Sequence, residues 1–588
     1  MDFTPAESIF FKGGEYQRLF CELLTLLPGR LSLRIKKPSK GRWKVLVLIK
    51  SKNIKKTLSV SFTALLAFSL ISPVYGDSST TTSAGGSTIS AKVSAKLNQQ
   101  FSASEYVTYL VKLKDQVDTE SVAKHAFQKA SAEQISPAAA KLSVRTTVVN
   151  SLMDTAEKTQ QSVEEYLKKE VNNGNVKKYK SYFIVNAFAV TSTKEVMDNL
   201  ATLPEIDKIL PDEKRELQKV EIDKDAQPVV EESTADQAVA DQAAVDTAVT
   251  EENAQKSVEE SVYKDAVTPS RVEWNITKVK APQVWAKGID GKGVVVANLD
   301  TGVEYTHPAL KRKWRGLNAS GQVVNPELSW YDAVNGASLP TDSNGHGTHT
   351  MGTSVGSDSN GTNEIGVAPG AKWIAVRVFN PDTTDSILLD GGQWILAPVD
   401  KNGKKHPELA PDVVNNSWGG GPGLDEWYRP VTKAWRAAQI FPEFSAGNTT
   451  LSNPGGPGSV ANPANLPEAY ATGATDVNNK LASFSLRGPS PYGEVKPEIS
   501  APGVNIRSSV PGGVYEGGWN GTSMAGPHTA GLAALLLQAK PSLTVDQLED
   551  VISKTATPLT DSQYRTSPNN GYGYGLIDAL AAVNSVLN

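Results

Sequence analysis

The chain has 588 residues, which is more than one ordinary domain, so we expect two or three folded units. With 39% hydrophobic and 21% charged residues, its composition is typical of globular proteins. The formal net charge of −4 gives no basis for nucleic-acid binding. A single cysteine, Cys21, excludes a disulfide framework within the chain.

A targeting segment is readable near the N-terminus. The stretch KSKNIKKTLSVSFTALLAFSLISPVYG has a lysine-rich start, an apolar run from Leu58 to Ile71 and small residues at its end. This pattern predicts a secretory signal peptide cleaved after Gly76, so that residues 1–76 are a presegment and signal peptide. The apolar run is too short to span a bilayer comfortably, and an uncleaved anchor is the less favoured alternative.

The next part of the chain predicts a flexible lead-in and then a small domain. Residues 77–97 are rich in Ser, Thr, Gly and Ala. From 98 to 218, EYVTYLVKLK alternates like a strand and is followed by a long helical pattern. KYKSYFIVNAFAVTS then predicts strands, KEVMDNLATL an amphipathic helix and IDKILPD a last strand. This order suits a small α+β domain of the ferredoxin-like kind.

Residues 219–268 cannot build a core. The stretch EESTADQAVADQAAVDTAVTEEN contains alanine, acids and glutamine without an aromatic residue, which predicts a solvated acidic linker. A continuous charged helix is the alternative, and in either case this segment separates two folded units.

Residues 269–588 alternate apolar runs with helical patterns. GVVVANLD, KWIAVRVF, PDVVNNSW and IFPEFSAGN predict strands, whereas TAGLAALLLQ and EWYRPVTKAWRAA predict helices. Non-alternating apolar strands between helices indicate an α/β domain in three layers, with a mostly parallel sheet covered on both faces. Trp427, Val431 and Trp435 recur every four residues, and we interpret this stripe as core packing rather than as a ligand site.

Candidate catalytic groups follow from the strand ends and from the histidines. In open α/β sheets, functional groups gather beyond the carboxyl ends of the strands, where this sequence places Asp300 and Asn448. Among six histidines, His346 stands in NGHGTHTMGT between two glycines, which allow another backbone to come close to the imidazole.

A serine in WNGTSMAGPHTAG completes the set. A serine hydroxyl needs an adjacent base, the base needs a buried acceptor, and a tetrahedral oxyanion needs fixed donors. Ser523 opens a predicted helix, so its backbone N–H points outward at the positive helix end. Ser523, His346, Asp300 and Asn448 therefore supply a candidate for each role.

These residues carry a resemblance to a known family. NLDTGVEYTHPAL, NGHGTHTMGT, VVNNSWGG, FSAGN and NGTSMAGPHTAG, in this order, resemble the subtilisin family of serine endopeptidases over essentially all of 270–588. QWILAPVD, PDVVNNSWGGGPGLDEWYRP and AWRAAQIFPEFSAGN are most similar to its bacillopeptidase F branch, which Gram-positive bacteria secrete. Residues 98–218 resemble the inhibitory propeptide of the family.

The resemblance implies a secreted protease that is made as a self-inhibited zymogen and matured by proteolysis. Self-cleavage is the expected route. Asp300, His346 and Ser523 would be the catalytic triad, and Asn448 with the Ser523 N–H would form the oxyanion hole. Ser417, Trp418 and Gly419 would bind extended protein and peptide substrates by backbone pairing. The implied partners are these substrates and the chain's own propeptide, with no nucleic acid and no membrane span after signal cleavage.

No cofactor is expected for catalysis. Family members often have an aspartate two residues after the His-Pro pair here numbered 307–308 as a calcium ligand, but this chain has Leu310 there. The usual calcium pattern is therefore not matched, and no metal ligand is assigned. The stretch GSDSNGTNE, residues 356–364, has oxygen side chains that suit calcium, although a solvated loop is the favoured interpretation.

Two other functions fit the sequence less well. A serine-carboxyl peptidase would need Glu in place of His346 and Asp in place of Asn448, so the sequence argues against it. A catalytically dead peptide-binding module usually lacks one catalytic group, and none is missing here.

Overall fold

A computed structural model describes residues 31–36, 44–49, 92–217, 219–227 and 272–587. The chain forms two compact units, Met1–Thr82 and Ser83–Asn588. In the first unit, strands β1 (Leu31–Lys36) and β2 (Lys44–Ile49) form an antiparallel hairpin. The predicted signal peptide and most of the predicted acidic linker lie outside the described residues.

The second unit contains two domains, whose elements are numbered in chain order. Its strands β3 to β18 are Val107–Leu113, Val176–Tyr182, Ala187–Ser192, Ile206–Pro211, Lys214–Arg215, Glu221–Ile222, Val295–Asp300, Trp330–Asp332, Lys372–Arg377, Thr383–Thr384, Val413–Asn416, Phe441–Ser445, Tyr470–Thr475, Ile499–Pro502, Ile506–Val510 and Val514–Asn520. Its helices α1 to α12 are Ala95–Ala103, Thr119–Ala132, Pro137–Asn172, Lys194–Thr202, Trp274–Lys278, Ala281–Trp285, His346–Val355, Asp385–Leu396, Arg429–Ala437, Thr522–Ala539, Val545–Thr555 and Ala579–Leu587.

The N-terminal domain of this unit is the predicted α+β structure. Its four strands form an antiparallel sheet in the order β4-β5-β3-β6. Val163 and Leu167, near the end of the long helix α3, are fully buried in the core of this domain. Helix α1 begins at Ala95, inside the predicted flexible lead-in, because Leu97 is fully buried in the same core.

The C-terminal domain is the predicted three-layer α/β structure. Seven parallel strands are ordered β10-β11-β9-β13-β14-β15-β16, and their apolar residues are divided between two large buried clusters. Helix α10 is buried for most of its length, because TAGLAALLLQ is apolar on all sides. None of the helices in the described ranges is long and apolar enough to cross a membrane.

The aromatic stripe at helix α9 packs in the core, as its spacing predicts, with Trp427 at the edge of the cluster. Val431 and Trp435 are fully buried. Trp427 precedes the first helical turn and is only partly buried, and the guanidinium carbon of Arg215 lies 4.7 Å from the centroid of its ring. Trp427 therefore packs against the buried cluster and also contacts Arg215 of the N-terminal domain.

Helix α2 and the first half of α3 attach the N-terminal domain to the C-terminal domain. Val148, Val149 and Leu152 of α3 belong to the same buried cluster as Trp435 of the other domain. Between these residues and the start of the helix, the Arg145 side chain enters a cup of backbone carbonyl groups on the C-terminal domain. Its guanidinium donates to the carbonyl oxygens of Ala438, Ala410 and Pro411, at distances of 3.0, 3.0 and 3.1 Å.

Replacing this arginine should loosen the contact between the domains. We expect Arg145→Ala to lower the free energy that protects residues 137–156 from hydrogen exchange by about 3 kcal/mol, because charged hydrogen bonds are lost. Leu142→Ala is the matched control, because Leu142 lies on the same helix and is 43% exposed. Equal protection in the two variants would show that the carbonyl cup does not hold the helix.

Candidate active site

The four candidate catalytic residues lie at ends of secondary-structure elements in the C-terminal domain. Asp300 is the last residue of β9, and His346 is the first residue of α7. Ser523 is the second residue of α10, and Asn448 follows β14 by three residues. This arrangement follows from the parallel sheet, in which the carboxyl ends of the strands share one edge.

Asp300 and His346 form a hydrogen-bonded pair in the interior. The His346 Nδ1 lies 2.8 Å from Asp300 Oδ1 and 3.0 Å from Oδ2, and both residues are essentially inaccessible to water. Gly347 permits this approach, because a Cβ atom there would clash with the carbonyl oxygen of Gly302. Burial by itself would lower the pKa of His346, but the charge and hydrogen bond of Asp300 outweigh burial and raise this pKa above its usual 6.5.

The other histidines near the sheet have different surroundings. Burial lowers the pKa of His349 to about 3 and that of His528 to about 4, so both are neutral imidazoles near neutral pH. His307 is held by the backbone oxygen of Val514 at 2.9 Å. Among these buried imidazoles, His346 is the one that is paired with a carboxylate.

Ser523 and Asn448 lie together at the start of α10. The Asn448 Oδ1 accepts hydrogen bonds from the backbone N–H and the hydroxyl of Thr522, both at 2.9 Å. These bonds fix the amide group, so that its NH₂ points away from the helix. The Ser523 hydroxyl donates to the carbonyl oxygen of Ser417 at 3.2 Å, and within the described residues His346 Nε2 has no hydrogen-bond partner.

A buried chain of hydrogen bonds connects helix α7, which carries His346, with helix α10, which carries Ser523. The Asn298 Nδ2 donates to the Gly347 carbonyl at 2.9 Å, and Asn298 Oδ1 accepts from Asn415 Nδ2 at 2.8 Å. Asn415 Nδ2 also donates to Ser417 Oγ, which in turn donates to the Ser523 carbonyl at 3.2 Å. Helices α7 and α10 are therefore held in a fixed relation through side chains of the two adjacent strands β9 and β13.

The predicted substrate strand Ser417, Trp418 and Gly419 directly follows β13. Ser417 contacts Ser523 through both its carbonyl oxygen and its hydroxyl. The Trp418 ring is 2% exposed and packs against Tyr428 and Phe444, so its side chain belongs to the core. Backbone pairing of this strand with a peptide stays a prediction.

The end of the N-terminal domain and the first linker residues run along the C-terminal domain; we call residues 212–217 and 219–227 the tail. Its strand β7 pairs antiparallel with β12, with Thr383 opposite Arg215. Its strand β8 pairs antiparallel with β18, with Trp519 opposite Ile222. The predicted solvated linker thus begins as an ordered strand, because the free edge of β18 supplies hydrogen-bond partners.

Between these two pairings the tail passes the start of α10. The carbonyl oxygen of Lys219 lies 3.5 Å from Asn448 Nδ2. A Cβ atom on Gly521 would lie 3.1 Å from a methyl carbon of Val220 and 3.3 Å from the same amide nitrogen. The backbone of the tail therefore lies directly against the residues that precede Ser523.

The loop considered for calcium is tied to its own neighbours. Asp358 accepts hydrogen bonds from the Asn363 amide at 2.7 Å and from the Thr362 hydroxyl at 3.1 Å. Nowhere in the described ranges do three or more His, Cys, Asp or Glu side chains come together as a metal site would require. Calcium binding by this chain stays untested.

Sequence reasoning missed several residues at this edge of the sheet. Asn298 and Asn415 appear only as polar breaks in apolar strands. Asp385 is the first residue of helix α8 and Asp425 lies in a loop, and neither stands in a recognisable motif. Glu443 was counted as part of a strand, yet its carboxyl group is fully buried beside Gly526 of α10. A charged residue within a buried strand was the signal that could have identified Glu443.

Comparisons with known proteins agree with this division of the chain. Residues 291–575 match the model of the subtilase family, and residues 108–218 match that of peptidase inhibitor I9. Bacillopeptidase F of Bacillus subtilis is 52% identical over 500 residues, which are 85% of this chain and 33% of that protein. The chain thus spans about a third of the length of that relative.

Two shorter relatives match the C-terminal domain. Subtilisin DY of Bacillus licheniformis is 36% identical over 313 residues, which are 53% of this chain and 98% of that protein. Subtilisin E of Bacillus subtilis is 35% identical over 313 residues, which are 53% of this chain and 71% of that protein.

The charge of Asp300 should control the titration of His346. In a full-length Ser523→Ala background, we expect Asp300→Asn to move the pKa of His346 from above 6.5 to below it, because burial, the largest effect on this imidazole, is then opposed by the charge of Asp342 without that of Asp300. The raised pKa stabilises the fold below pH 6.5, and this contribution is lost as the pH rises through the folded-state pKa. The variant should therefore lose stability mainly below pH 6.5.

Histidine NMR signals and urea unfolding at several pH values measure these two effects. Asp400→Asn is the control, because Asp400 bonds the surface residue His406 at 3.2 Å and not His346. A His346 pKa unchanged by Asp300→Asn would contradict the assigned pairing.

Replacing Glu443 by a residue that does not titrate should stabilise the protein at neutral pH. Burial outweighs the opposing contacts with Thr472 and Asn416 and raises the pKa of this carboxyl well above its usual 4.5. Above pH 4.5 the unfolded state has lost the proton that the folded state keeps, so stability falls as the pH rises.

Glu443→Gln removes this dependence of stability on pH. Its free energy of unfolding, relative to that of the wild-type chain, should therefore increase by up to about 1.4 kcal/mol for each pH unit above 4.5. Urea unfolding from pH 4 to pH 8 measures it. Glu494→Gln, at an exposed position, is the control. If the two variants show the same pH dependence, Glu443 is not held protonated.

Proposed function

Because the chain belongs to the subtilase family, we propose that it is a secreted serine endopeptidase that hydrolyses peptide bonds of extracellular proteins. We further propose that it is made as a precursor inhibited by its own N-terminal domain, which matches peptidase inhibitor I9. The observation that carries the proposal is the position of the tail, whose Lys219 carbonyl faces Asn448 Nδ2 at 3.5 Å beside the start of α10.

In the proposed mechanism, His346 takes the proton of the Ser523 hydroxyl while the Ser523 oxygen attacks the carbonyl carbon of the substrate. Asp300 orients the imidazole through Nδ1 and stabilises the imidazolium that forms. His346 then donates the proton to the leaving amine, and an acyl-enzyme on Ser523 remains. A water molecule, activated by the same imidazole, hydrolyses the acyl-enzyme. These steps need no cofactor, and a structural calcium ion would be a separate property.

The oxyanion would be stabilised by two donors whose positions are fixed before the reaction. Asn448 supplies its amide, which Thr522 holds through two hydrogen bonds of 2.9 Å. Ser523 supplies its backbone N–H at the positive end of α10. Such preorganised donors act on the charge that develops in the transition state.

The precursor holds this machinery in a resting arrangement. The Ser523 hydroxyl donates to the Ser417 carbonyl, so it must rotate away from that oxygen before His346 can accept its proton. Since the tail occupies the path of an extended substrate, the N-terminal domain acts as an inhibitor. We propose that the first self-cleavage breaks one of the two peptide bonds of Lys219.

Secretion rests on the N-terminal segment and not on the fold. The lysine-rich start and the apolar run that ends at Ile71 are typical of a signal peptide. We propose export with cleavage after Gly76, so that folding and self-cleavage occur outside the cell.

Self-cleavage can be tested on the purified full chain. The wild-type precursor should separate into two fragments, and N-terminal sequencing of the second fragment should begin at Lys219 or Val220. Ser523→Ala should stay intact and should not react with a fluorophosphonate probe, whereas Ser320→Ala, at an exposed serine, should behave as wild type. Cleavage of the Ser523→Ala chain at the same bond, without any other protease, would contradict the mechanism.

Asn448→Ala should show how much of the turnover depends on the oxyanion hole while the triad residues are kept. We expect turnover to fall by roughly 10²–10³, the scale known for removing such a donor from a subtilisin, while the probe still labels Ser523. Unchanged turnover on peptide substrates would exclude Asn448 as an oxyanion donor.

A further inference from the structure

Beside the catalytic site, the C-terminal domain holds the side chain of Arg215 in a pocket. The guanidinium donates to Asp385 through Nε at 2.6 Å and through Nη2 at 3.1 Å, which is a bidentate pairing. The same Nη2 lies 3.5 Å from Asp425, and the guanidinium carbon lies 4.7 Å from the centroid of the Trp427 ring. Two carboxylates and an aromatic face are the groups that bind guanidinium most specifically.

The pocket is built by the C-terminal domain itself. The Asp385 side chain is 4% exposed and begins helix α8, whereas the Asp425 side chain is 44% exposed at the rim. On another side, Gly420 borders the guanidinium, and a Cβ atom there would lie 3.4 Å from Arg215 Nη1, which is ordinary van der Waals contact. Since both carboxylates belong to the C-terminal domain, departure of the N-terminal domain would leave them without the Arg215 guanidinium.

An emptied pocket of this kind has a physical reason to bind another cation. A buried carboxylate without a partner is costly, so it gains from either a proton or a positively charged group. Burial already raises the pKa of Asp385 to about 7 while Arg215 is present. A guanidinium supplies both charge and paired donors, which a lysine ammonium cannot do in the same planar geometry.

The pocket also lies where a substrate residue would be placed. Arg215 belongs to β7, which pairs through its backbone with Thr383 and Thr384 of β12. Such pairing does not depend on side chains, so a substrate strand on the same edge would put one side chain where that of Arg215 lies. If the peptide bond before Lys219 is cleaved, Arg215 is the fourth residue before that bond. If the bond after Lys219 is cleaved, Arg215 is the fifth.

We propose that Asp385, Asp425 and Trp427 form a specificity pocket that selects substrates with arginine at the fourth or fifth residue before the cleaved bond. This proposal rests on the proposed protease function and names the substrate class of the same site. Backbone pairing along β12 tolerates many sequences, and the pocket adds a preference for one guanidinium group. In this proposal Asp385 and Asp425 contact the arginine side chain of the substrate and not the cleaved bond. Their role is therefore in specificity and not in catalysis.

The test uses the mature enzyme and fluorogenic peptides that carry the sequence of the tail. One peptide has arginine at the position of Arg215, and its partner has citrulline, which keeps the shape but has no charge. We expect kcat/KM to favour the arginine peptide by roughly tenfold or more, with most of the difference in KM. If the two kcat/KM values are nearly equal, the proposed specificity pocket is contradicted, whereas the proposed protease function is not.

Variants of the enzyme locate the preference. Asp425→Asn should reduce the ratio of kcat/KM for the arginine peptide to kcat/KM for the citrulline peptide. Asp385→Asn should bring this ratio close to one. Glu426→Gln is the matched control, because it removes the same charge from the next residue, which bonds Arg429 and Tyr492 rather than Arg215. Since Asp385 is buried, the citrulline peptide reports whether that variant is still folded and active. A ratio that survives Asp425→Asn and Asp385→Asn in active enzymes would overturn the assignment.

The two proposals fail in different ways. If the folded mature protein cleaves neither peptide, the protease function is contradicted, and binding of the same labelled peptides by fluorescence anisotropy still decides the pocket. Tighter binding of the arginine peptide would support the pocket, and equal binding would overturn it.

Discussion

The hydrogen bonds of Asn298 and Asn415 hold the two halves of the site in register. Asn298 binds the first turn of the helix that carries His346, and Asn415 reaches Ser417, which binds the carbonyl of Ser523. These side chains are almost completely buried, where an unsatisfied polar group would be costly. The parallel strands β9 and β13 therefore hold helices α7 and α10, which carry His346 and Ser523, in a fixed relation.

The tail runs along the same edge of the domain, past the start of α10. The tail pairs with β12 before the start of α10 and with β18 after it, so its backbone is held extended on both sides of Lys219. An extended peptide that is held at both ends presents one carbonyl group to Asn448. Arg145 and its carbonyl cup lie on a different face of the C-terminal domain, so the N-terminal domain is attached there as well as at the tail.

Local patterns predicted most of the architecture. The strands that end at Asp300 and near Asn448, the long helix with Val163 and Leu167, and the buried helix α10 follow from hydrophobic periodicity, and the structure contains all of them. The predictions were wrong where a distant segment changed the environment. Leu97 is buried by a sheet it does not belong to, and Glu221–Ile222 of the predicted linker pairs with β18, almost three hundred residues later in the chain.

The sequence by itself determined the fold class, the order of the two domains and the identity of the four candidate catalytic residues, because motifs and periodicity are local properties. Only the tertiary structure decided which groups meet. It paired His346 with Asp300, placed Lys219 against Asn448 and enclosed Arg215 between Asp385 and Trp427. Those contacts join residues that are far apart in the chain, and their distances are set by strand order and helix packing, which no local pattern encodes.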